Sequence, residues 1–215
     1  FRLQENPLFA TSVGVHTSGD RLPSLAPEDL LRRQRYWKVT LDRLNQIALE
    51  SLGKRDQINI RIFKRSIEDR LAGYKFKSYL MPFNADSGFH TGLARLAKRV
   101  PLATVQDYEN YIARLRAIPR YMDEHLAFMQ EGIDAGMTVP KVVLDGYEVT
   151  IETHVVDDAT ESVFYEPFET FPVAVPLKHH ERLRAEGKQA IMEAAVEGYR
   201  TFFEYFVGEY VPNAR

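Results

Sequence analysis

Apolar side chains recur at helical spacing along most of the chain. From residue 27 to residue 52, successive apolar positions match the period of an amphipathic helix; they are Leu30, Trp37, Leu41, Leu44 and Ala48. Pro27 is followed by Glu28 and Asp29, a combination typical of a first helical turn. A second apolar stripe predicts another helix and consists of Ile60, Phe63, Ile67, Leu71 and Tyr74.

The middle of the chain predicts three more helical segments. A short helix is expected over residues 93–100, ended by Pro101. Thr104 predicts the next helix start, because its hydroxyl can accept a first-turn N–H. Pro119 should break or kink that helix. The apolar face before this break consists of Tyr108, Ile112 and Leu115. After it the pattern resumes up to a helix end at Gly136, with Met122, Leu126, Met129 and Ile133.

Residues 140–157 fit two structures. Asp145-Gly146 between β-branched residues is typical of a hairpin turn. Apolar positions also fall every four residues, and Pro140 suits a first helical turn; these positions are Val143, Tyr147, Ile151 and Val155. We favour the helix, although the hairpin stays open on these residues alone.

The last 58 residues predict a loop and one long helix. Residues 158–175 lack a period and are rich in aromatic residues and proline, which favours an irregular loop pinned by its rings over a ligand-stacking platform. From Pro176 almost to Tyr210 one face is apolar, with Ile191, Ala195, Tyr199, Phe202, Phe206 and Tyr210. A helix of this length with an aromatic end is expected to pack against something large.

The sequence therefore predicts an all-α fold, an irregular bundle of long amphipathic helices with an aromatic, proline-rich loop before a long C-terminal helix. Because the chain begins with Phe1 and stops just past a helical pattern, we expect residues 1–215 to be the N-terminal helical region of a larger protein. A subdivision would separate a scaffold at 1–157 from the loop and long helix at 158–215.

Composition narrows the classes of partner. Hydrophobic residues make up 45% and charged residues 27% of the chain, and the net charge is −2. This balance is ordinary for a globular protein and gives no general attraction to nucleic acid. No apolar run approaches the ~18 residues of a membrane-spanning segment. The chain has no cysteine, so disulfides and thiolate metal sites are excluded.

No catalytic constellation or metal site is evident. The string from Lys178 to Arg184 has His180-Glu181 but places Arg184, a cation, where a zinc helix needs its second histidine. Surface histidines of an amphipathic helix explain it better. The other histidines show no ligand spacing and are His16, His90, His125 and His154. We therefore predict neither a catalytic residue nor a metal ligand in this chain.

The loop from Met81 to His90 is the candidate site. It gathers proline, asparagine, aspartate, serine, glycine and histidine between two helices, where such side chains either cap backbone or face a ligand. Read from these residues alone, capping is favoured over a ligand-facing role.

Several segments, taken in order over nearly the whole chain, resemble the bacterial domain-of-unknown-function 885 family. They are PLFATSVGVH at 7–16, DRLP at 20–23, APE at 26–28, PFNADSGFH at 82–90, DYENY at 107–111, RL at 114–115, IPRY at 118–121, Gly132 and Gly136, PKVV at 140–143, PF at 167–168 and FP at 171–172. Each segment is weak, but their order and spacing make the resemblance fairly specific.

The resemblance implies a largely helical protein related to gluzincin-type zinc metallopeptidases. Its zinc region, similar to His-Glu-x-x-x-Gly-His-His, would lie in a C-terminal part downstream of this chain. Many relatives look exported, which suggests a periplasmic or secreted protein. The resemblance also raises the expectation that Asn84 and His90 bind a peptide substrate, and it favours the helix at 140–157.

Two functions follow as hypotheses. The first is a scaffold that forms one wall of a peptidase cleft, with the C-terminal catalytic part and a peptide as partners. The alternative is a helical interaction domain whose long last helix docks a partner protein. A reading frame that continues past Arg215 into a His-Glu motif would favour the first.

Overall fold

The structure is a computed structural model that describes residues 1–215, and it confirms the all-α prediction. It has no β-strand, and one isolated antiparallel bridge joins Phe83 to Gly88. The α-helices are α1 (Arg2–Glu5), α2 (Pro7–Ser12), α3 (Pro27–Asn45), α4 (Lys54–Lys75), α5 (Phe89–Ala94), α6 (Val105–Arg116), α7 (Ile118–Asp134), α8 (Val149–Glu152), α9 (Glu166–Glu169), α10 (His180–Ala190) and α11 (Glu197–Tyr205). None of them combines the length and apolar content required to cross a bilayer.

The helices form two compact units, and the smaller one, residues 25–80, is a hairpin of α3 and α4. The helix predicted to reach residue 52 ends at Asn45, because Ala48 is extended and the chain turns back through the 3₁₀ turn Leu49–Ser51. A unit of this size buries only a small part of its apolar surface, and many large apolar side chains of the hairpin are exposed. They are Leu31, Tyr36, Val39, Ile47, Ile58, Ile62, Phe63 and Phe76.

The larger unit comprises residues 1–24 and 81–215 and contains the main core. Within it α10 packs against α6, and α11 packs against α7. The predicted start at Thr104 is confirmed by a capping box. The Thr104 hydroxyl accepts the Asp107 N–H at 3.3 Å, and the Asp107 carboxylate accepts the Thr104 N–H at 2.9 Å.

Proline and glycine divide this unit where the sequence indicated. A new helix begins at Ile118 with Pro119 in its first turn, so the break is confirmed. Gly136 follows the helix end with φ +67°, a left-handed conformation that glycine adopts without a Cβ clash. The helix expected at 93–100 starts earlier, at Phe89, because Thr91 caps the Gly88 N–H, and it continues after Ala94 only as the 3₁₀ turn Leu96–Lys98.

Residues 140–157 contain two short helical segments, joined and followed by turns, instead of the one predicted helix. No strands flank Asp145-Gly146; instead the 3₁₀ turn Lys141–Val143 precedes it and α8 follows it. Gly146 has φ +74°, so the Asp-Gly pair makes a turn here without a hairpin. The four-residue spacing still indicated the buried side, because Tyr147 and Ile151 face the core.

Residues 158–175 are largely an irregular segment whose rings are buried, as predicted. Tyr108 donates from its hydroxyl to the Pro167 carbonyl at 3.0 Å, and Tyr111 does the same to the Phe164 carbonyl at 3.0 Å. Phe168 is fully buried against α10. The two phenol groups of α6 therefore hold the segment in place.

The last helical stretch is continuous and contains two π-helical segments. α10 passes into a π-helical segment, Ile191–Val196, and α11 into a second one, Phe206–Tyr210. All six predicted face residues are buried. Its aromatic end packs within the chain, since the Phe206 ring lies 5.9 Å from Phe83 and the Tyr210 hydroxyl accepts the Val139 N–H at 3.0 Å.

Arg114, in α6, binds the N-terminal segment, by which we mean residues 7–21. Its Nε donates to the Arg21 carbonyl at 3.1 Å, and its Nη2 donates to the Thr11 hydroxyl at 2.7 Å. Longer bonds from Nη2 reach the carbonyls of Ser18 at 3.4 Å and Pro7 at 3.5 Å. The side chain is 1% exposed, and burial lowers its pKa to about 10, while Asp20 acts in the opposite direction.

Candidate functional site

The candidate loop is a tight turn closed by Asn84. The Asn84 backbone N–H donates to the Ser87 carbonyl at 2.8 Å. Its side-chain Oδ1 accepts the N–H groups of Asp86 at 2.9 Å and Ser87 at 3.0 Å, and the Ser87 hydroxyl at 3.3 Å. The amide oxygen is thus used inside the turn. The amide nitrogen, on an exposed residue, makes no hydrogen bond within the chain.

The turn is anchored to the core on one side only. Phe83 is buried, and its ring stacks on Tyr147 with the centroids 5.1 Å apart. The Tyr147 hydroxyl donates to the Ser87 carbonyl at 3.4 Å. Residues 84–87 are exposed. The turn is therefore held in place by the buried Phe83, while residues 84–87 are accessible to solvent.

His90 lies beneath the turn, fully buried in the first turn of α5. Its Nε2 is 3.0 Å from the Thr150 hydroxyl, which donates its own proton to the Tyr147 carbonyl at 2.7 Å. Nε2 therefore carries the proton, and Nδ1 is a bare acceptor that is buried without a partner. Burial, followed by the influence of His154, lowers the pKa of His90 to about 4.

Gly88 permits the close approach of the turn to His90. A Cβ at residue 88 would lie 2.8 Å from His90 Nδ1 and 2.8 Å from the Tyr147 hydroxyl. Neither distance is compatible with a carbon atom, and both neighbours are themselves fixed. The backbone at Gly88 is extended, so the requirement for glycine here is one of space.

A second buried histidine, His125, lies near His90. Its ring stacks on Phe89 at 4.0 Å and meets the edge of Tyr121 at 4.7 Å. Both of its nitrogens are buried without a hydrogen-bond partner. Burial, with His90 as the second cause, lowers the pKa of His125 to about 3.

His154 completes what we call the histidine cluster, namely His90, His125 and His154. Its ring lies 4.6 Å from that of Tyr199, whose hydroxyl donates to the His90 carbonyl at 2.6 Å. Burial lowers the pKa of His154 as well. These residues appeared scattered in the sequence, but the fold brings them into one region of the core. No three imidazole, carboxylate or thiol groups converge closely enough to hold a metal ion.

Side chains between Lys178 and Arg184 stabilise the aromatic segment, by which we mean residues 158–175. His180 Nε2 lies 2.8 Å from the Val175 carbonyl, and its ring stacks on Phe171 at 4.4 Å. Arg184 Nε donates to the Phe168 carbonyl at 2.9 Å. Both side chains therefore make structural contacts to residues just upstream.

Sequence reasoning identified the turn and His90 but missed their partners. Thr150 and Tyr147 come 60 residues after the groups they contact. The four-residue spacing of Tyr147 and Ile151 could show that this side is buried, but not which histidine it faces. Substrate binding by Asn84 and His90 stays a prediction.

Comparison with known proteins gives one assignment. A family model described as "Bacterial protein of unknown function (DUF885)" matches residues 7–215. No curated protein matches the chain.

Proposed function

The chain belongs to the DUF885 family of bacterial proteins, and from this premise we propose that it is the helical scaffold of a zinc-metallopeptidase-like protein. In this proposal the Asn84 turn forms part of the wall of a peptide-binding cleft. The observation that carries it is the amide nitrogen of Asn84, a free donor on a turn whose base is fixed in the core. A fixed donor suits the carbonyl or carboxylate of an extended peptide.

Zinc enters this proposal as a ligand of residues outside 1–215. The histidines of this chain do not form a site for it, because no three metal-binding side chains converge. We propose that the C-terminal part supplies a His-Glu region, and that the complete protein acts in the periplasm or outside the cell. This chain would contribute peptide orientation and no zinc ligand.

The test requires the complete protein and two substitutions at one position. Asn84→Asp keeps the oxygen that caps the turn but removes the amide donor, whereas Asn84→Ala removes both. We expect Asn84→Asp to lower kcat/KM for a peptide about tenfold or more, equivalent to ~1.4 kcal/mol of lost transition-state binding, with little change in melting temperature. Asn84→Ala should lower both quantities.

The matched control is Ser87→Ala, which removes only the longest bond to the same oxygen. It should leave kcat/KM close to that of the unmodified protein. Equal turnover in Asn84→Asp and the unmodified protein would leave Asn84 with its capping role alone. A complete protein that binds no zinc and cleaves no peptide would overturn the peptidase proposal as a whole.

The alternative function, an interaction domain, is supported by a different observation. The α3–α4 hairpin exposes large apolar side chains, and Ile58 and Ile62 lie four residues apart on one face of α4 at 55% and 64% exposure. Large apolar side chains that are exposed together on one surface are typical of contacts with another polypeptide. This surface differs from the long last helix that the sequence suggested as the docking element.

The double substitution Ile58→Lys and Ile62→Lys tests the alternative. It should abolish co-purification of a partner protein if the hairpin is the docking surface, and improve solubility. Arg55→Glu, at an exposed position one turn earlier, is the charge control. Co-purification that survives the double substitution would count against this function.

A further inference from the structure

A groove beside the last helical stretch has the size of a ligand-binding pocket. Its volume is about 550 Å³, within the roughly 300–1,000 Å³ typical of pockets for small organic molecules. One side is formed by residues 141–148, and the other by α11 and the π-helical segment that follows it. Both sides belong to the larger unit, so the groove is built on one core.

The floor of the groove is apolar and held in place. Leu144 and Phe206 are buried, at 3% and 0% exposure. The Phe206 ring lies 5.6 Å from that of Tyr147 and 6.0 Å from that of Tyr210, and both of these rings are buried as well. A ligand that enters the groove therefore meets a preformed apolar surface.

The helical wall of the groove presents apolar side chains to solvent. Phe203 and Val207 lie four residues apart on one helix face, and Val207 is 46% exposed. The backbone is π-helical at this point, since the Val211 N–H donates at 2.9 Å to the carbonyl of Phe206, five residues earlier. Val211 also lines the groove. Short π-helical segments within α-helices are frequent at functional sites.

Two carboxylates without a partner lie at the edge of the groove. Asp145 and Glu148 come from the same turn, and neither side chain forms a hydrogen bond or an ion pair within the chain. Lys141 supplies the one positive charge of the lining. Two carboxylates against one ammonium group leave one negative charge uncompensated, which favours a cationic ligand over a neutral or anionic one.

We propose that this groove binds a small organic cation with an apolar body. The body lies over Phe206, between Leu144 and Val207, where burial of its apolar surface stabilises the complex. The charged head reaches the carboxylates of Asp145 and Glu148 and decides between ligands with similar bodies. A free amine and a lysine side chain beside an apolar residue share this chemistry. The inference does not rest on the peptidase proposal, because it concerns binding by residues of this chain alone.

The experiment compares three ligands that have a similar phenylalkyl body and different head groups. Isothermal titration calorimetry of the chain measures the binding of phenylbutylammonium, phenylbutanol and phenylbutanoate. We expect the ammonium compound to bind at least about fivefold more tightly than the alcohol, and the carboxylate to bind more weakly than the alcohol. A capped dipeptide of phenylalanine and lysine distinguishes the sources of the cation. Tighter binding than that of phenylbutylammonium would identify a basic peptide as the ligand, and weaker binding a free amine.

The contribution of charge is isolated by a double substitution. Asp145→Asn with Glu148→Gln should reduce the affinity for phenylbutylammonium to that for phenylbutanol. The matched control is Asp157→Asn with Glu161→Gln, which removes two exposed carboxylates that do not line the groove. This control changes the net charge equally and should preserve the preference for the cation.

The location of the site has its own measurements. Val207→Trp should fill the groove and abolish binding of all three ligands, whereas Val173→Trp, at a fully exposed position outside the groove, should leave binding unchanged. In the unmodified chain, titration with phenylbutylammonium should shift the amide resonances of residues 144–148 and 203–207. Equal affinities for the three ligands, a preference that survives Asp145→Asn with Glu148→Gln, or amide shifts confined to other parts of the chain would each overturn the proposal.

Discussion

The histidine cluster shows how burial decides the chemistry of single residues. His125 has neither a donor nor an acceptor partner for its ring nitrogens, and His90 lacks one for Nδ1. Each is stable there only as the neutral imidazole, because a charged ring in this environment has no compensating group. The cluster therefore adds a sensitivity to acid that the amino-acid composition does not reveal.

Acid should destabilise the protein in a defined range. The pKa is about 4 for His90 and about 3 for His125 in the folded state, against ~6.5 for an unfolded histidine. Below pH 6.5 the unfolded state binds more protons, so the free energy of unfolding should fall as pH drops from 6.5 towards 4. The slope should reach at most ~1.4 kcal/mol per pH unit for each histidine. Urea unfolding at pH 7, 6 and 5 measures it.

The His125→Phe substitution isolates the contribution of this one histidine to the pH dependence of stability. Phenylalanine keeps the ring that stacks on Phe89 and leaves no hydrogen bond unmade, so stability at pH 7 should be equal or higher. The free energy of unfolding should fall less steeply as the pH drops from 6.5 to 4. His16→Gln, at an exposed position, is the control and should leave the dependence unchanged. A His125→Phe variant with the original pH profile would exclude this residue as a cause.

At the scale of elements, Gly187 is the position at which α10 packs most closely against the aromatic segment, because it has no side chain. A Cβ at this position would lie 2.6 Å from Cζ of Phe168, a ring that is itself enclosed by Tyr108 and Tyr111 at 5.8 and 5.9 Å. Gly187→Ala should therefore cost about 1–3 kcal/mol through overpacking. Chemical unfolding measures this cost directly.

Gly208→Ala is the matched control, since a Cβ there meets nothing within 4 Å. It should stabilise the helix by about 0.5–1 kcal/mol. The double variant Gly187→Ala, Phe168→Leu should lose less free energy of unfolding than the sum of the two single losses. The smaller leucine side chain leaves room for the new Cβ at residue 187. Strict additivity would show that the ring contact is not the source of the cost.

Periodicity predicted the elements well where a single stripe continued for three turns or more. The long helices and the buried face of the last one followed from apolar spacing, proline and capping residues. It failed where the backbone departs from 3.6 residues per turn or where glycine interrupts it. Neither π-helical segment was predicted, and Gly146 divides residues 140–157 although the stripe continues through it.

The candidate site was less predictable, because its contacts are distant in sequence. The turn around Asn84 is local, and its capping role was the interpretation favoured by its residues. The bond from His90 to Thr150 spans 60 residues, and that from Tyr199 to the His90 carbonyl spans 109. No pattern within a short window contains such pairings.

At the scale of the whole molecule, the larger unit is discontinuous in sequence. Residues 1–24 and 81–215 form one core, and residues 25–80 form a hairpin with its own helices. Replacing residues 25–80 by a Gly/Ser linker should therefore leave the larger unit folded, with one cooperative thermal transition. Near-ultraviolet circular dichroism and calorimetry measure this outcome. Loss of the cooperative transition would show that the hairpin is required for the core.

The attachment of the first residues to Arg114 also governs events during synthesis. The arginine lies 93 residues beyond the Arg21 carbonyl that it binds. At roughly 5–20 residues per second, about 5–20 s pass on the ribosome before this contact can form. For that time the N-terminal segment has no native partner in α6. Chaperones and proteases that act on nascent chains would meet it before the protein has completed its own core.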